Sequence, residues 1–204
     1  MQRRQFLYAG VFSVYPIKVL TKKELENKSG SYICGNAEPL RKKDSSKWEK
    51  KHLNYFFLNR DLTEMSQSDW DSRFKLAFKS WSDVCDMSFT QIDNIFNADI
   101  VISVGNKIEE GFGEKGGILA WAYGPTDKGF SGVLMTKFDT AENWTLKKEE
   151  EGFILQAVAA HEIGHLLGLS HSKDESSLMF PYYRHSIIEP QKDDISKVRK
   201  LYGK

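Results

Sequence analysis

The segment AAHEIGHLLGLSHS, residues 159–172, constrains the fold of this chain more than any other stretch. The sequence has 5 histidines, and three of them stand here, at positions 161, 165 and 171. His161 and His165 are four apart, so on a helix both imidazoles leave the same face. That spacing lets two ring nitrogens reach one zinc ion at ~2.0–2.1 Å each. A third ligand from the next helical turn would have poor geometry, so the chain must leave the helix and double back. Gly168 permits the break, because glycine takes positive φ at little cost, and His171 follows. Three neutral nitrogen donors with a fourth position left open are the mark of catalytic rather than structural zinc. Glu162 is rotated by about 100° from His161 around the helix. It can border the metal without binding it, and it can take a proton from a water whose pKa zinc lowers to ~7. Ordinary polar residues on an amphipathic helix would explain a bare HExxH. They do not explain the longer HExxHxxGxxH, with Met179 downstream.

The rest of the chain suits one domain built around this segment. Its 204 residues are enough for a single core, and 40% apolar content supports a packed globular fold. A net charge of +1, with Lys and Arg scattered and no basic stripe among the aromatics, argues against a nucleic-acid partner. The start, MQRRQFLYAGVFSVYPIKVL, has the shape of a secretory signal over residues 1–20, two arginines before an apolar run. RRQFL also resembles a twin-arginine signal. A short N-terminal strand or helix is the other reading, and the apolar run is too short to span a membrane. Residues 21–45 are polar, charged and rich in Gly, Pro and Ser, as in a linker or exposed pro-segment. A compact domain follows over 46–204.

Within it, HLNYFFLN alternates Leu53, Tyr55 and Phe57 on one face, as a strand does. Ser68 with Asp71 predicts a capping box. Trp70, Phe74, Ala77, Phe78 and Trp81 then recur at helical spacing and predict a buried stripe. MSFTQI, ADIVISVG, GGILAWAY and GVLMTKF are strand candidates, the second apolar enough for a buried parallel strand. A second helix is predicted from about Glu150 into Gly168, burying Ile154, Leu155, Val158, Ala159, Leu166 and Leu167. A third follows Pro190 and ends at Gly203, with Ile195, Val198 and Leu201 inward. The order strand, helix, strands, helix gives a mixed α/β layer fold.

HEIGHLLGLSHS…SLMFPYY resembles the metzincins, and among them the matrixins, or matrix metalloproteinases. Ser172 follows the third histidine as in matrixins. Met179 matches the turn that lies under the zinc site, and Pro181 stands where other metzincins place a tyrosine. KWEKKHLNYFFLN, AFKSWSDVCDMSFTQI, KFDTAENWT and DDISKVRKLYG extend the likeness over roughly residues 46–203. The resemblance implies a metzincin fold of α/β (α+β) class. That fold has a twisted, mostly parallel mixed sheet with an antiparallel edge strand, two long helices, and a small C-terminal subdomain with a third helix. It implies a secreted monomeric endopeptidase that acts on protein or peptide substrates and meets protein inhibitors, with one catalytic zinc and Glu162 as general base. Backbone groups near Ile118, Leu119 and Ala120 would pair with an extended substrate. Pro181, Tyr182 and Tyr183 would wall the pocket for the residue after the cut. Ala157 would leave its floor deep enough for a large apolar side chain. Of Asp193 and Asp194, one would support the Met179 turn and the other would pair with a new amino terminus. Both also suit a helix N-terminus as macrodipole partners. A non-catalytic zinc-containing binding module is the rival reading, and Glu162 argues against it.

The sequence also departs from the matrixin pattern. NKIEEG replaces a His-x-Asp segment, and Trp121 and Lys137 replace two further histidines, so a second, structural zinc is not expected. Asp139 and Glu142 match calcium ligands and suit that ion. Gly113 replaces a loop aspartate, and Met135 removes a ligand from another calcium site. Solvated carboxylates without an ion are the alternative. Cys34, in YICGNAEP, resembles the pro-segment cysteine that fills zinc's fourth position, without the Arg and Asp that normally flank it. A free thiol, or a bridge to Cys85, are the other readings.

Overall fold

The computed structural model describes residues 46–60, 63–106, 112–113 and 115–204. The expected leader over 1–20, the expected pro-segment over 21–45 and Cys34 lie outside the described residues, as do residues 107–111 of NKIEEG. Among the described residues no helix is long and apolar enough to cross a membrane.

A five-stranded sheet carries the fold. Its strands are β2 (His52–Phe57), β3 (Ser88–Gln91), β4 (Ile100–Gly105), β5 (Ala120–Ala122) and β7 (Leu134–Asp139), in the spatial order β3-β2-β4-β7-β5. The first three pairings are parallel and β5 runs antiparallel to β7, Trp121 opposite Lys137. The expected mixed sheet with one antiparallel edge strand is therefore present. β4 lies between β2 and β7, and its five residues Ile100–Val104 are all buried, which is why that segment reads as an unbroken apolar run. Two short two-stranded pairs complete the strands. β1 (Lys47–Trp48) pairs with β6 (Lys128–Phe130), and β8 (Trp144–Thr145) pairs with β9 (Phe153–Ile154), both parallel.

Helix α1 (Gln67–Ser82) crosses from β2 to β3. Its stripe Trp70, Phe74, Ala77, Phe78 and Trp81 is buried as the periodicity predicts. Phe78 stacks on Tyr55 at 4.3 Å, and Phe74 meets Phe57 and Phe138 edge-on at 5.1 and 5.2 Å. Such aromatic pairs are worth about 0.5–1.5 kcal/mol each beyond their burial. The capping residue differs from the expectation. Ser66, not Ser68, stands at the N-cap, accepting from the Asp69 amide at 3.1 Å and donating to the Asp69 carboxylate at 2.7 Å. Ser68 already lies inside the helix, where its backbone is helical.

Helix α2 (Leu155–Leu166) is shorter than the Glu150–Gly168 expected, because Phe153 and Ile154 pair as β9 instead. Every one of its residues is buried. Trp81 ties the two helices by donating from Nε1 to the Ala160 carbonyl at 2.8 Å. Helix α3 (Lys192–Tyr202) ends at Gly203, whose φ of 80° terminates it. Val198 and Leu201 face inward as expected, but Ile195 is only half-buried. Asp194 occupies the buried position in that turn, with 0% of its surface exposed.

Candidate metal centre and substrate cleft

Helix α2 brings His161, Glu162 and His165 to one buried place, and the turn after it returns His171 to them. The turn is made by Gly168 at φ 99°. A Cβ there would also stand 2.4 Å from the Ser46 carbonyl oxygen, so glycine is required for space as well as for backbone angle. The ring centroids of the three histidines lie 4.8 to 5.4 Å apart. One nitrogen from each falls within 4.8 Å of the others, and this is the one His, Cys or carboxylate group of that kind among the described residues.

Hydrogen bonds decide which nitrogen each ring offers. His161 Nδ1 lies 2.7 Å from the Leu178 carbonyl, and His165 Nδ1 lies 2.9 Å from the Leu169 carbonyl. A carbonyl only accepts, so both Nδ1 atoms carry the proton and both Nε2 atoms present a lone pair. His161 Nε2 is buried without a hydrogen-bond partner. His165 Nε2 faces His171 Nε2 at 3.2 Å. That separation matches the roughly 3.3 Å between two ligand nitrogens about 2.0–2.1 Å from a tetrahedral ion. Burial pushes the His161 pKa down to about 4, so the ring stays neutral and able to ligate at ordinary pH. An orphaned buried nitrogen beside two converging imidazoles therefore fits zinc by donor type, charge state and distance.

The floor under the histidines is built by residues far apart in sequence. Met179 is fully buried against Gly164, inside HEIGH, and a Cβ on Gly164 would fall 2.3 Å from the Met179 sulfur. Asp194 holds the Met179 turn with four donors. Its carboxylate accepts from Ser177 Oγ, from the Leu178 amide at 2.8 Å, from the Met179 amide at 3.2 Å and from the Gln191 amide at 2.8 Å. The Leu178 carbonyl in that turn is the acceptor for His161. Asp193 accepts from Ser172 Oγ at 2.6 Å and pairs with Lys197 at 2.7 Å, so it steadies the residue after His171. Gly164 and Ser177 were not singled out by sequence reasoning. Nothing in their neighbours' spacing marks them, since their roles depend on contacts with Met179 and Asp194.

A cleft opens beside the metal site, lined by Leu119, Ala157, His161, Glu162, Pro181, Tyr182 and Tyr183 among others. Six residues that sequence reasoning assigned to catalysis or substrate binding thus come together there. Ala120 is paired with Phe138 in the edge strand β5, and Ile118 lies just before it. The Leu119 carbonyl accepts from the Asp139 amide at 2.9 Å.

Asp139 and Glu142 form a separate buried pair, 0% and 7% exposed. Asp139 accepts from the Gly113 and Ala141 amides at 2.7 and 2.8 Å, and Glu142 accepts from the Gly116 amide at 2.8 Å. Burial raises both pKa values. Cys85 is a free buried thiol that donates to the Trp81 carbonyl, and burial lifts its pKa to about 11, so it is no thiolate ligand at neutral pH.

A mostly parallel sheet backed by two helices, one of which aims two imidazoles at the third across a glycine turn, is the build of a metzincin-type zinc metallopeptidase domain. Sequence comparison places the chain within that class: it belongs to the matrixin family, whose profile matches residues 47–203. It is 40% identical over 180 residues to matrix metalloproteinase-18 of Xenopus laevis, covering 86% of this chain and 37% of that protein. It is 38% identical over 165 residues to karilysin of Tannerella forsythia, covering 78% of this chain and 34% of that one. Human matrix metalloproteinase-20 matches at 39% over 164 residues, 77% of this chain and 32% of the relative. The chain therefore spans about a third of the length of these relatives. Zinc is the metal of the family, and His161, His165 and His171 are donors of the type and spacing it takes.

Proposed function

We propose that this chain is a zinc-dependent endopeptidase that hydrolyses peptide bonds in extracellular proteins. The observation that carries this reading is the buried, unpartnered Nε2 of His161, aimed with two more imidazoles at a cleft that Glu162 also lines. His161, His165 and His171 would hold the zinc ion, which would supply Lewis acidity toward a water and toward a peptide carbonyl. The carbonyls of Leu178 and Leu169 keep two of the rings turned toward the ion. Glu162, 1% exposed, receives the proton of the attacking water on its carboxylate and returns it to the leaving amine. Water is the nucleophile, so no acyl-enzyme forms.

Substrate lies extended along β5, its backbone pairing near Ile118, Leu119 and Ala120. The residue after the cut enters between Ala157 and the wall of Pro181, Tyr182 and Tyr183. A methyl group at position 157 leaves depth for a leucine, methionine or aromatic side chain. Residues 46–204 act as the catalytic domain, with 1–20 as leader and 21–45 as a short pro-segment in which Cys34 serves as a latent-state ligand. The domain works as a monomer open to protein inhibitors. Asp139 and Glu142 are the carboxylates that would offer oxygen ligands to a calcium ion, although the Gly113, Ala141 and Gly116 amides already occupy them and make the pair a fastener of its loop. No second zinc is assigned.

Cleavage of a quenched peptide library, with and without chelator and by the Glu162→Ala variant, tests the reading. Metal-dependent cleavage before large apolar residues, abolished in the variant, is expected. Folded protein that binds zinc yet cleaves nothing would instead identify a zinc-containing binding module, and folded protein without transition metal would remove the site altogether.

A further inference from the structure

The far wall of the cleft is tied to helix α2 by a chain of hydrogen bonds with a defined direction. The Ile154 amide, at the start of α2, donates to the Tyr183 hydroxyl at 3.0 Å. That hydroxyl stands 3.2 Å from His185 Nδ1. His185 Nε2 lies 2.5 Å from the Lys148 carbonyl, and the Lys148 ammonium donates to the Ser186 carbonyl at 3.2 Å. The Lys148 carbonyl only accepts, so Nε2 must carry the proton. A neutral ring then has only a lone pair at Nδ1, and the Tyr183 hydroxyl donates to it while accepting from Ile154. Each donor and acceptor in the chain is satisfied once, in one tautomer. The Tyr183 ring is held on its other side by Phe153, edge-on at 5.1 Å.

The Ile154 amide needs this partner. Ile154 is the N-cap residue of α2, it is 3% exposed, and no side chain caps that helix end. A Tyr183 ring free to rotate would widen the cleft and leave a buried amide unmatched. His185 is at the surface and is not itself part of the cleft lining; it reaches that lining through Tyr183. It lies outside the residues that sequence reasoning singled out, because its partner Lys148 is 37 residues away.

We propose that His185 is a positioning residue for the specificity pocket: through the Tyr183 hydroxyl and the Lys148 carbonyl it straps the outer wall to the start of α2 and fixes the size of side chain accepted after the cut. This deepens the endopeptidase reading and rests on it for its kinetic consequence. The strap itself is independent of activity.

Three measurements on the zinc-loaded protein test it. Nitrogen-15 chemical shifts should place the His185 proton on Nε2, with Nδ1 unprotonated. Amide hydrogen exchange at Ile154 should quicken in both Tyr183→Phe and His185→Ala, by about fivefold or more for the loss of one hydrogen bond. With peptides carrying Leu or Ala after the scissile bond, His185→Ala should narrow the Leu-over-Ala preference by about threefold to tenfold, mainly through KM. His185→Gln, which offers both an N–H and a carbonyl, should recover part of that preference. Unchanged Ile154 exchange in His185→Ala, or an Nδ1-protonated ring, overturns the strap. An unchanged Leu-to-Ala ratio with altered exchange overturns its role in specificity. If the parent protein cleaves no peptide, the endopeptidase reading fails, and the shift and exchange data still decide the strap.

Discussion

The histidine site and the Asp139–Glu142 pair bury ionisable groups to a similar degree, yet they use their lone pairs in opposite ways. In the first, backbone carbonyls occupy the Nδ1 side of two rings, leaving the Nε2 side of all three converging on one point. In the second, backbone amides of Gly113, Gly116 and Ala141 already occupy the carboxylate oxygens and fold the loop onto the sheet. Burial of a polar group therefore does not by itself identify a ligand. What separates a binding site from a folding device is whether the surrounding backbone donates to the buried atom or withholds from it.

The largest effect that would break this contrast is at Glu162. Glu162→Gln should lower kcat/KM by about 10²–10⁴-fold while metal content, read by elemental analysis, stays at the parent level. Equal loss of metal and activity would make Glu162 part of the metal-holding structure instead. Asp194→Ala should cost about 3 kcal/mol in urea unfolding, because it strands the Leu178, Met179 and Gln191 amides in the interior. A cost near that of a surface substitution would show that the Met179 turn stands without its carboxylate.

The pH dependence of the chelated, metal-free protein sharpens the comparison, because the two clusters act with opposite sign. Burial lowers His161 from 6.5 to about 4, so the unfolded chain binds that proton more readily. Its contribution is complete above pH 6.5 and is lost as pH falls through about 4, amounting to roughly 3 kcal/mol. Asp139 and Glu142 are raised above 3.8 and 4.5, so their contribution is largest at low pH and declines as pH rises through the raised values. Urea midpoints across pH 3 to 8 should show the histidine slope in the parent and its absence in His161→Phe. Adding zinc should steepen it, because the ion binds only the neutral rings.

Gly164→Ala should destabilise by about 1–3 kcal/mol, since its methyl group meets the Met179 sulfur and the Trp81 ring. Paired with Met179→Ala the cost should fall below the sum, and simple additivity would show the two do not touch. Smallest of all, Glu142→Gln should shift stability by less than about 1 kcal/mol, because an amide oxygen still accepts from Gly116. A large loss would mean the charge itself is needed there, as an ion would require.

The fold was readable where burial repeats with a simple period. The α1 stripe and the β2 alternation are buried as their spacing dictates, and β4 is the central parallel strand its apolar run suggests. Legibility failed at element ends. Ser66 rather than Ser68 caps α1, and Phe153 and Ile154 enter a strand pair rather than α2. Both depend on neighbours that local pattern does not name. Ile195 followed its helical period, yet it yielded the interior to Asp194, a residue with no apolar signal at all.

The sequence by itself determined the metal-binding chemistry of this protein, because a helix fixes where residues four apart must point and a glycine fixes where the chain can turn back. Donor type and spacing are local properties, so they survive reading without coordinates. Only the tertiary structure decided which face of each ring is left open, why Gly164 cannot carry a side chain, and what holds Tyr183 against Ile154. Apart from the local bond between His165 and the Leu169 carbonyl, those answers rest on contacts between residues 15 or more positions apart. Such contacts follow from packing of the whole chain and leave no periodic trace along it.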